Sequence, residues 1–309
     1  MAKKKSKRLI SYIYLGINTI CWGAALIIVK PAFAYTTPFR FLFYRYFFSV
    51  LFSLPILIYF LFRVKNIWKK IKIISAAEFI GTVLSLTLLY LGLQRTSAIE
   101  TSLITTTTPI FISLAGILFL KEKQEKHEWF GLLLAFFGTL SLAVLPILKN
   151  GQDQNHFSLI GNLLVLSQNI CIAAYFILAK KIYKKIPKLF VACISFILGL
   201  IAFFGLSLFE VNFSLTQFIA NINSDLSHIS VLIASLYMAI FGSIIGLTTY
   251  IKGQENIEAS EASLFIYLQP LIYLPLGIIF LKETINIWQI ASLFIILTGV
   301  IMAEKRKKK

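Results

Sequence analysis

Charge is scarce in this chain, and acid especially so: 14% of its 309 residues are charged and only 13 are Asp or Glu. Water-soluble domains carry about 25% charged residues, so an ordinary soluble domain is excluded. Cysteine and histidine number three each. Cys21, Cys171 and Cys193 sit inside apolar runs with no paired spacing. That pattern supports neither a disulfide framework nor a zinc site and leaves them as packing residues. His127, His156 and His228 are scattered between apolar runs, and neither HExxH nor a glycine-rich phosphate loop occurs. The groupings that hydrolytic, nucleotide-binding or lipid-modifying enzymes require are therefore missing, and we expect neither enzyme activity nor a cofactor.

What the chain has in excess is apolar sequence: 58% of residues, with a mean hydropathy of +0.82. A helix needs about 20 mainly apolar residues to cross the hydrocarbon of a bilayer, where its backbone must satisfy itself. Runs of that kind lie near 9–29, 41–62, 73–94, 96–120, 129–148, 157–179, 189–209, 229–251, 260–281 and 285–303. The expected fold is all-α and integral to the membrane, with ten transmembrane helices. The first run follows a basic start like that of a signal peptide, but it is too long and lacks a small-residue cleavage site, so we read it as a retained span.

The net charge of +17 is carried by short clusters beside the apolar runs. Lys and Arg accumulate in cytoplasmic loops near membrane ends. With the N-terminus inside, every basic residue falls on the cytoplasmic side except Lys30, Arg40, Arg45, Arg95, Lys149 and Lys282. Both termini are then cytoplasmic, in a multi-pass protein of the cell membrane. These clusters are suited to membrane lipids and not to nucleic acid.

The chain also repeats itself. Ala98–Glu122 laid over Ala259–Glu283, an offset of 161, pairs Glu100 with Glu261, Pro109 with Pro270 and Gly116 with Gly277. The match then runs through Leu120-Lys121-Glu122 and Leu281-Lys282-Glu283. The same offset pairs Gly81 with Gly242, Ser85 with Gly246, Gly92 with Gly253 and Gly138 with Gly299. An offset of 150 pairs Ile20-Cys21 with Ile170-Cys171 and Lys30 with Lys180. Residues 1–150 and 151–309 are thus expected to be two five-helix repeats. An odd number of spans forces the second to enter from the opposite side, an inverted-topology arrangement common in secondary transporters. A duplication kept only for packing is the alternative.

The stretch from Ala262 to Ala303, its counterpart Ile99–Glu122 and "FLFYRYFF" at the start of the second run resemble EamA-type members of the drug/metabolite transporter superfamily. The resemblance covers essentially the whole chain. It implies a 5+5 helix fold around a central cavity formed mainly by spans 1, 3, 4, 6, 8 and 9. It also implies export or exchange of a small-molecule substrate by alternating access. Amino-acid-like or amphipathic metabolites suit the span interiors, which hold almost no cations for a phosphate clamp. An organic-phosphate or nucleotide-sugar antiporter is the alternative within transport, and a membrane enzyme the alternative outside it. The sequence leaves the oligomeric state open.

Polar side chains at mid-membrane are the first candidates for a solute site. The 150-residue offset sets Asn18-Thr19 opposite Gln168-Asn169. Trp22 lies one turn beyond Asn18, and Tyr175 about two turns beyond Gln168, so amides and aromatics share helix faces. Helix–helix hydrogen bonding is the other use of such amides. Pro109 and Pro270 each free the carbonyl four residues back, Thr105 and Ile266, in spans that also carry Thr108, Tyr267 and Gln269. Thr105 and Thr108 are expected on one face, and back-bonding to their own helix is the competing role. Gly81 and Ser85, like Gly242 and Gly246, are four apart and suit close helix packing. Two ionisable residues fall within spans. Glu78 is either an ion-coupling group or, more in keeping with its place, a snorkelling interfacial carboxylate. Arg45 is read as a structural or interfacial anchor, with anionic-substrate binding as its alternative.

Overall fold

The computed structural model describes residues 2–64, 66–120, 129–131, 133–138, 140–141, 159–182, 186–253 and 265–304, and every regular element among them is a helix. The expected roles of Lys121, Glu122, His127, Lys149, His156, Glu261 and the basic residues 305–309 lie outside the described residues, as does the side chain of Tyr267.

Helices α1 (Ala2–Gly23) and α2 (Ala25–Val29) run on through a 3₁₀ turn at Lys30–Ala34. Helix α3 is Pro38–Leu61, started by Thr37, whose Oγ1 accepts from the Arg40 N–H. Helix α4 (Ile67–Glu78) passes through a π segment, Phe79–Leu84, into α5 (Ser85–Arg95). Helices α6 (Ala98–Thr105) and α7 (Thr108–Leu120) follow, then α8 (Trp129–Gly138). The second part holds α9 (Leu159–Ile182), α10 (Lys188–Glu210) and α11 (Leu215–Ser227). Helix α12 (Ile229–Tyr237) passes through a second π segment, Met238–Ile245, into α13 (Gly246–Gly253). A 3₁₀ turn at Ile266–Leu268 leads to α14 (Pro270–Leu281) and α15 (Ile287–Glu304).

Among the described residues, seven helical stretches are long and apolar enough to cross a membrane: Arg8–Ala34, Pro38–Leu61, Trp68–Arg95, Ala98–Gly116, Leu159–Ala179, Leu189–Glu210 and Ile229–Tyr250. Shorter apolar helices, Trp129–Gly138, Leu271–Leu281 and Ile287–Gly299, fall on the fifth, ninth and tenth apolar runs. The protein is an all-helical, multi-pass membrane protein. Its outward faces are apolar, with Phe62, Phe119, Ile201 and Phe294 all exposed, as expected where lipid is the solvent.

Packing follows the repeat closely. A Cβ built on Gly253 would stand 2.6 Å from Leu15 Cγ, and one on Gly92 would stand 2.6 Å from Val165 Cγ2. Leu15 and Val165 are counterparts at one offset, Gly92 and Gly253 at the other. Likewise Gly138 faces Ile296 while Gly299 faces Ala135. The first helix of each repeat thus packs on the third span of the other, and the fifth spans face each other. Both π segments stop one residue before the paired positions Ser85 and Gly246.

One segment departs from the repeat. Residues 210–228, expected as a connecting loop, contain α11. Ser214 caps it by accepting from the Gln217 N–H, and Phe218 and Asp225 are buried while Leu215 and Ile219 are exposed. Its many Asn, Gln and Ser residues hid the helix, because a 13-residue amphipathic stretch carries no span-like hydropathy.

Candidate functional site

The paired amides sit at matching interfaces. Asn18 is buried and its Nδ2 donates to the Gly246 carbonyl at 2.9 Å, while Thr19 Oγ1 donates to the Phe265 carbonyl at 3.0 Å. In the other half Gln168 Nε2 reaches Ser85 Oγ at 3.4 Å and Asn169 Nδ2 donates to the Ile104 carbonyl at 2.8 Å. Ser85 and Ile104 are the counterparts of Gly246 and Phe265. These amides therefore tie helices together in this conformation, at two interfaces rather than along one wall. Gln168 differs from the others. Its Oε1 is buried with no hydrogen-bond partner among the described residues, an arrangement that costs about 1–3 kcal/mol unless something donates to it.

The aromatic residues close over the π segments. Trp22 Nε1 donates to the Gly242 carbonyl at 3.0 Å, and its ring lies 5.2 Å from that of Tyr250. Tyr175 covers Gly81, where a Cβ would stand 2.3 Å from its ring, and its hydroxyl donates to Glu78 Oε1 at 2.7 Å. A π turn admits one extra residue and leaves backbone carbonyls free to accept, which is why such turns recur at working sites.

Between α6 and α7 the helix is interrupted at Thr106-Thr107, which are buried, while Thr105 and Thr108 on either side are half-buried. Thr105 Oγ1 donates back to the Ser102 carbonyl. The carbonyl of Thr105, freed by Pro109, is taken up by Thr108 Oγ1 at 2.6 Å, and that hydroxyl also lies 2.7 Å from Asn169 Oδ1. The matching break in the other half is the 3₁₀ turn, where the Ile266 carbonyl accepts from the Gln269 N–H at 3.0 Å. Gln269 is half-buried there.

The charged residues of the spans turn into the bundle. Glu78 is 3% exposed and accepts from Thr82 and Tyr175, so its carboxylate is held by neighbouring hydroxyls instead of reaching outward. Thr82 in turn lies 2.8 Å from Ser195. Arg45 is buried as well, at 8% exposure. Its Nη1 donates to the Tyr90 hydroxyl at 3.2 Å, and Nε and Nη2 approach Ser243 Oγ at 3.4 Å. Ser243 also lines a cleft with Ser53, Phe196, Ile244, Leu247 and Thr248. Sequence reasoning missed this cleft, because α3 and α10 lack the mid-span amides that drew attention to α1 and α9.

An all-helical bundle of apolar spans, built as two halves with equivalent internal contacts, defines a polytopic membrane protein of duplicated architecture. The chain belongs to the EamA-like transporter family, whose signature matches residues 9–144 and again 159–304. Among its relatives is the uncharacterized transporter YvbV of Bacillus subtilis (strain 168), 26% identical over 300 residues that cover 96% of this chain and 92% of that protein. Another is the uncharacterized transporter YetK of the same organism, 26% identical over 242 residues, covering 78% and 70%. An uncharacterized transporter of Archaeoglobus fulgidus is 22% identical over 297 residues, covering 96% and 99%. A solved crystal structure superposes with a TM-score of 0.64 over 97% of this chain and 96% of that one at 15% identity, and so shares the fold.

Proposed function

We propose that the protein is a secondary carrier that exports or exchanges small amino-acid-like or amphipathic metabolites across the cell membrane by alternating access. In this reading, residues 1–150 and 151–309 are inverted five-helix repeats, ten spans in all, with both termini cytoplasmic. The observation that carries it is the equivalence of the contacts Asn18–Gly246 and Gln168–Ser85. Two halves that grip each other in the same way can exchange conformations, closing one entrance as the other opens.

The solute site is then the zone between the repeats bounded by Asn18, Trp22, Thr105, Thr108, Gln168, Asn169, Tyr175, Tyr267 and Gln269. Their hydrogen bonds to neighbouring helices are those that a solute replaces when the zone opens. The bond from Tyr175 to Glu78 joins this zone to a buried carboxylate, which supports Glu78 as the ion-coupling residue. The terminal and loop lysines hold anionic lipid headgroups and set orientation.

The test is purified protein in sealed vesicles. Solutes that raise its melting temperature are loaded on one side, and radiolabelled solute is followed from the other. Saturable counterflow is expected; its absence for every stabilising solute would overturn the carrier reading. A Thr216→Cys probe on α11 is expected to label from outside, and labelling only from the cytoplasm would refute the orientation.

A further inference from the structure

Two buried residues with hydrogen-bond donors, Arg45 of α3 and Tyr90 of α5, meet without enough acceptors. A guanidinium carries five N–H groups. Those of Arg45 are directed at two neutral hydroxyls through three contacts of 3.2–3.4 Å, well beyond the roughly 2.7–2.9 Å of charge-assisted bonds. The Ser243 hydroxyl spends its own proton on the Met238 carbonyl at 2.9 Å, so towards Arg45 it offers only its lone pairs. The Tyr90 hydroxyl, 1% exposed, accepts from Arg45, and its own proton has no acceptor among the described residues.

The neighbouring cation on the same helix shows what is missing. Arg40 holds Asp225 at 2.7 Å and has Glu210 at 3.8 Å. Arg45 has no carboxylate within ion-pair distance among the described residues. Glu78 is engaged by Thr82 and Tyr175, and the Tyr46 hydroxyl is within electrostatic reach of both Arg45 and Glu78. The Arg45 guanidinium also lies over the face of the Tyr46 ring, 5.3 Å from its centroid, but a ring face carries no net charge, and burying a cation without an anionic partner is strongly unfavourable. The remedy is a ligand that only accepts hydrogen bonds and carries one negative charge, as a carboxylate does.

The geometry points to Arg45 and Tyr90 as the binding site for the carboxylate of the transported solute, with Ser243 released as the solute enters. This rests on the carrier reading and narrows its substrate class to monocarboxylates with an apolar body, free amino acids included. Ser243, which contacts the guanidinium, also lines a narrow cleft with Ile56, Phe196, Ile244 and Leu247, so the release of Ser243 would widen an apolar space beside Arg45 for the body of the solute. One guanidinium matches one negative charge, whereas a phosphomonoester would call for more cations than this site holds. The same π segment presents the Gly242 carbonyl to Trp22, so occupancy at Arg45 bears directly on the amide and aromatic zone.

The test uses full-length protein in phosphatidylcholine nanodiscs, free of anionic lipid, with three probes that share a phenyl ring: 3-phenylpropionate, phenethylamine and phenyl phosphate. We expect 3-phenylpropionate to raise the melting temperature in a saturable way and the other two to leave it unchanged. Arg45→Met is expected to weaken 3-phenylpropionate at least tenfold, with Arg45→Lys intermediate. Tyr90→Phe keeps the ring and the fold and is expected to weaken it several-fold, which covers the case in which Arg45→Met fails to fold. Equal affinity in wild type and Tyr90→Phe, a preference for phenyl phosphate, or an Arg45-dependent response to added phosphatidylglycerol with none to the acid would each overturn the proposal. Counterflow of neutral solutes with no competition from carboxylates would overturn the carboxylate site and leave the carrier standing. Arg45-dependent carboxylate binding without flux of any solute would do the reverse.

Discussion

Asn18 and Gln168 hold equivalent places in the two halves and differ in one atom's fate. Asn18 gives its amide proton to the Gly246 carbonyl at 2.9 Å. Gln168 makes only a 3.4 Å contact to Ser85 and keeps its Oε1 buried and unpartnered. One amide therefore acts mainly as a tie, and the other holds an acceptor in reserve. We expect Asn18→Leu to lower stability by about 1–2 kcal/mol. Gln168→Leu, which removes the unpaired acceptor, is expected to leave the melting temperature unchanged or higher and to weaken solute binding about tenfold, roughly 1.4 kcal/mol. Thermal unfolding and counterflow on the two variants check this, and equal destabilisation with intact binding would show that both are ties.

Gly81 and Gly246 are expected to behave differently from Gly16 and Gly205. A methyl at Gly81 meets the Tyr175 ring at 2.3 Å, and one at Gly246 meets Trp22 Nε1 at 2.4 Å and the Phe241 carbonyl at 2.6 Å. Gly81→Ala and Gly246→Ala are each expected to lower stability by about 1–3 kcal/mol through overpacking. Gly16 and Gly205 have nothing within 4 Å of an added methyl. Alanine there is expected to be neutral or to gain up to about 1 kcal/mol of helix propensity. Melting temperatures of the four variants decide it.

Much of this fold was legible because duplication writes itself into glycine and proline. The pairs Gly92/Gly253 and Gly138/Gly299 sit at one offset because the two members of each pair make equivalent close approaches to the opposite half. The Pro109/Pro270 pair marked both helix breaks, since a missing N–H acts locally whatever surrounds it. The turn at Thr106-Thr107 was not legible, because four consecutive threonines look alike whether the helix continues or breaks. The π segments were invisible, because an extra residue in an apolar run leaves its composition unchanged. The burial of Arg45 was equally hidden. Distance along a helix gives depth in the bilayer, but whether a side chain turns to lipid or into the bundle depends on Tyr90 of α5 and Ser243 of the second π segment, far away in sequence.

Asp225 gathers the end of α3 onto α11. Its Oδ2 accepts from Thr36 Oγ1, from Arg40 Nε at 2.7 Å and from the Tyr44 hydroxyl at 2.9 Å. Removing one partner of a buried ion pair costs about 3–5 kcal/mol, and the partial exposure of Arg40 places Asp225→Asn near the lower end of that range. Hydrogen exchange is expected to accelerate across residues 215–227 well before the spans are affected. Unchanged exchange there would mean that Phe218 and its aromatic neighbours alone hold α11 in place.

The turn between α5 and α6 is held from both sides by charge. Lys30 Nζ donates to the carbonyls of Leu93 and Thr96 at the end of α5. Glu283 accepts from the Ala98 and Ile99 N–H groups that open α6, each at 2.8 Å. Each charge sits at the helix end whose dipole it complements. Glu283 reaches this position because Lys282 adopts a left-handed φ of 55°, sending the Glu283 N–H back to the Gly277 carbonyl. Glu283→Gln and Lys30→Met are each expected to cost about 1–2 kcal/mol, the range for losing a helix cap or a charge at a helix end. Lys30 also feels the Glu283 charge directly. The double variant should therefore fall short of the sum of the singles by at least about 0.5 kcal/mol. Chemical denaturation of the four proteins measures that coupling, and strict additivity would show that the two charges brace the turn independently.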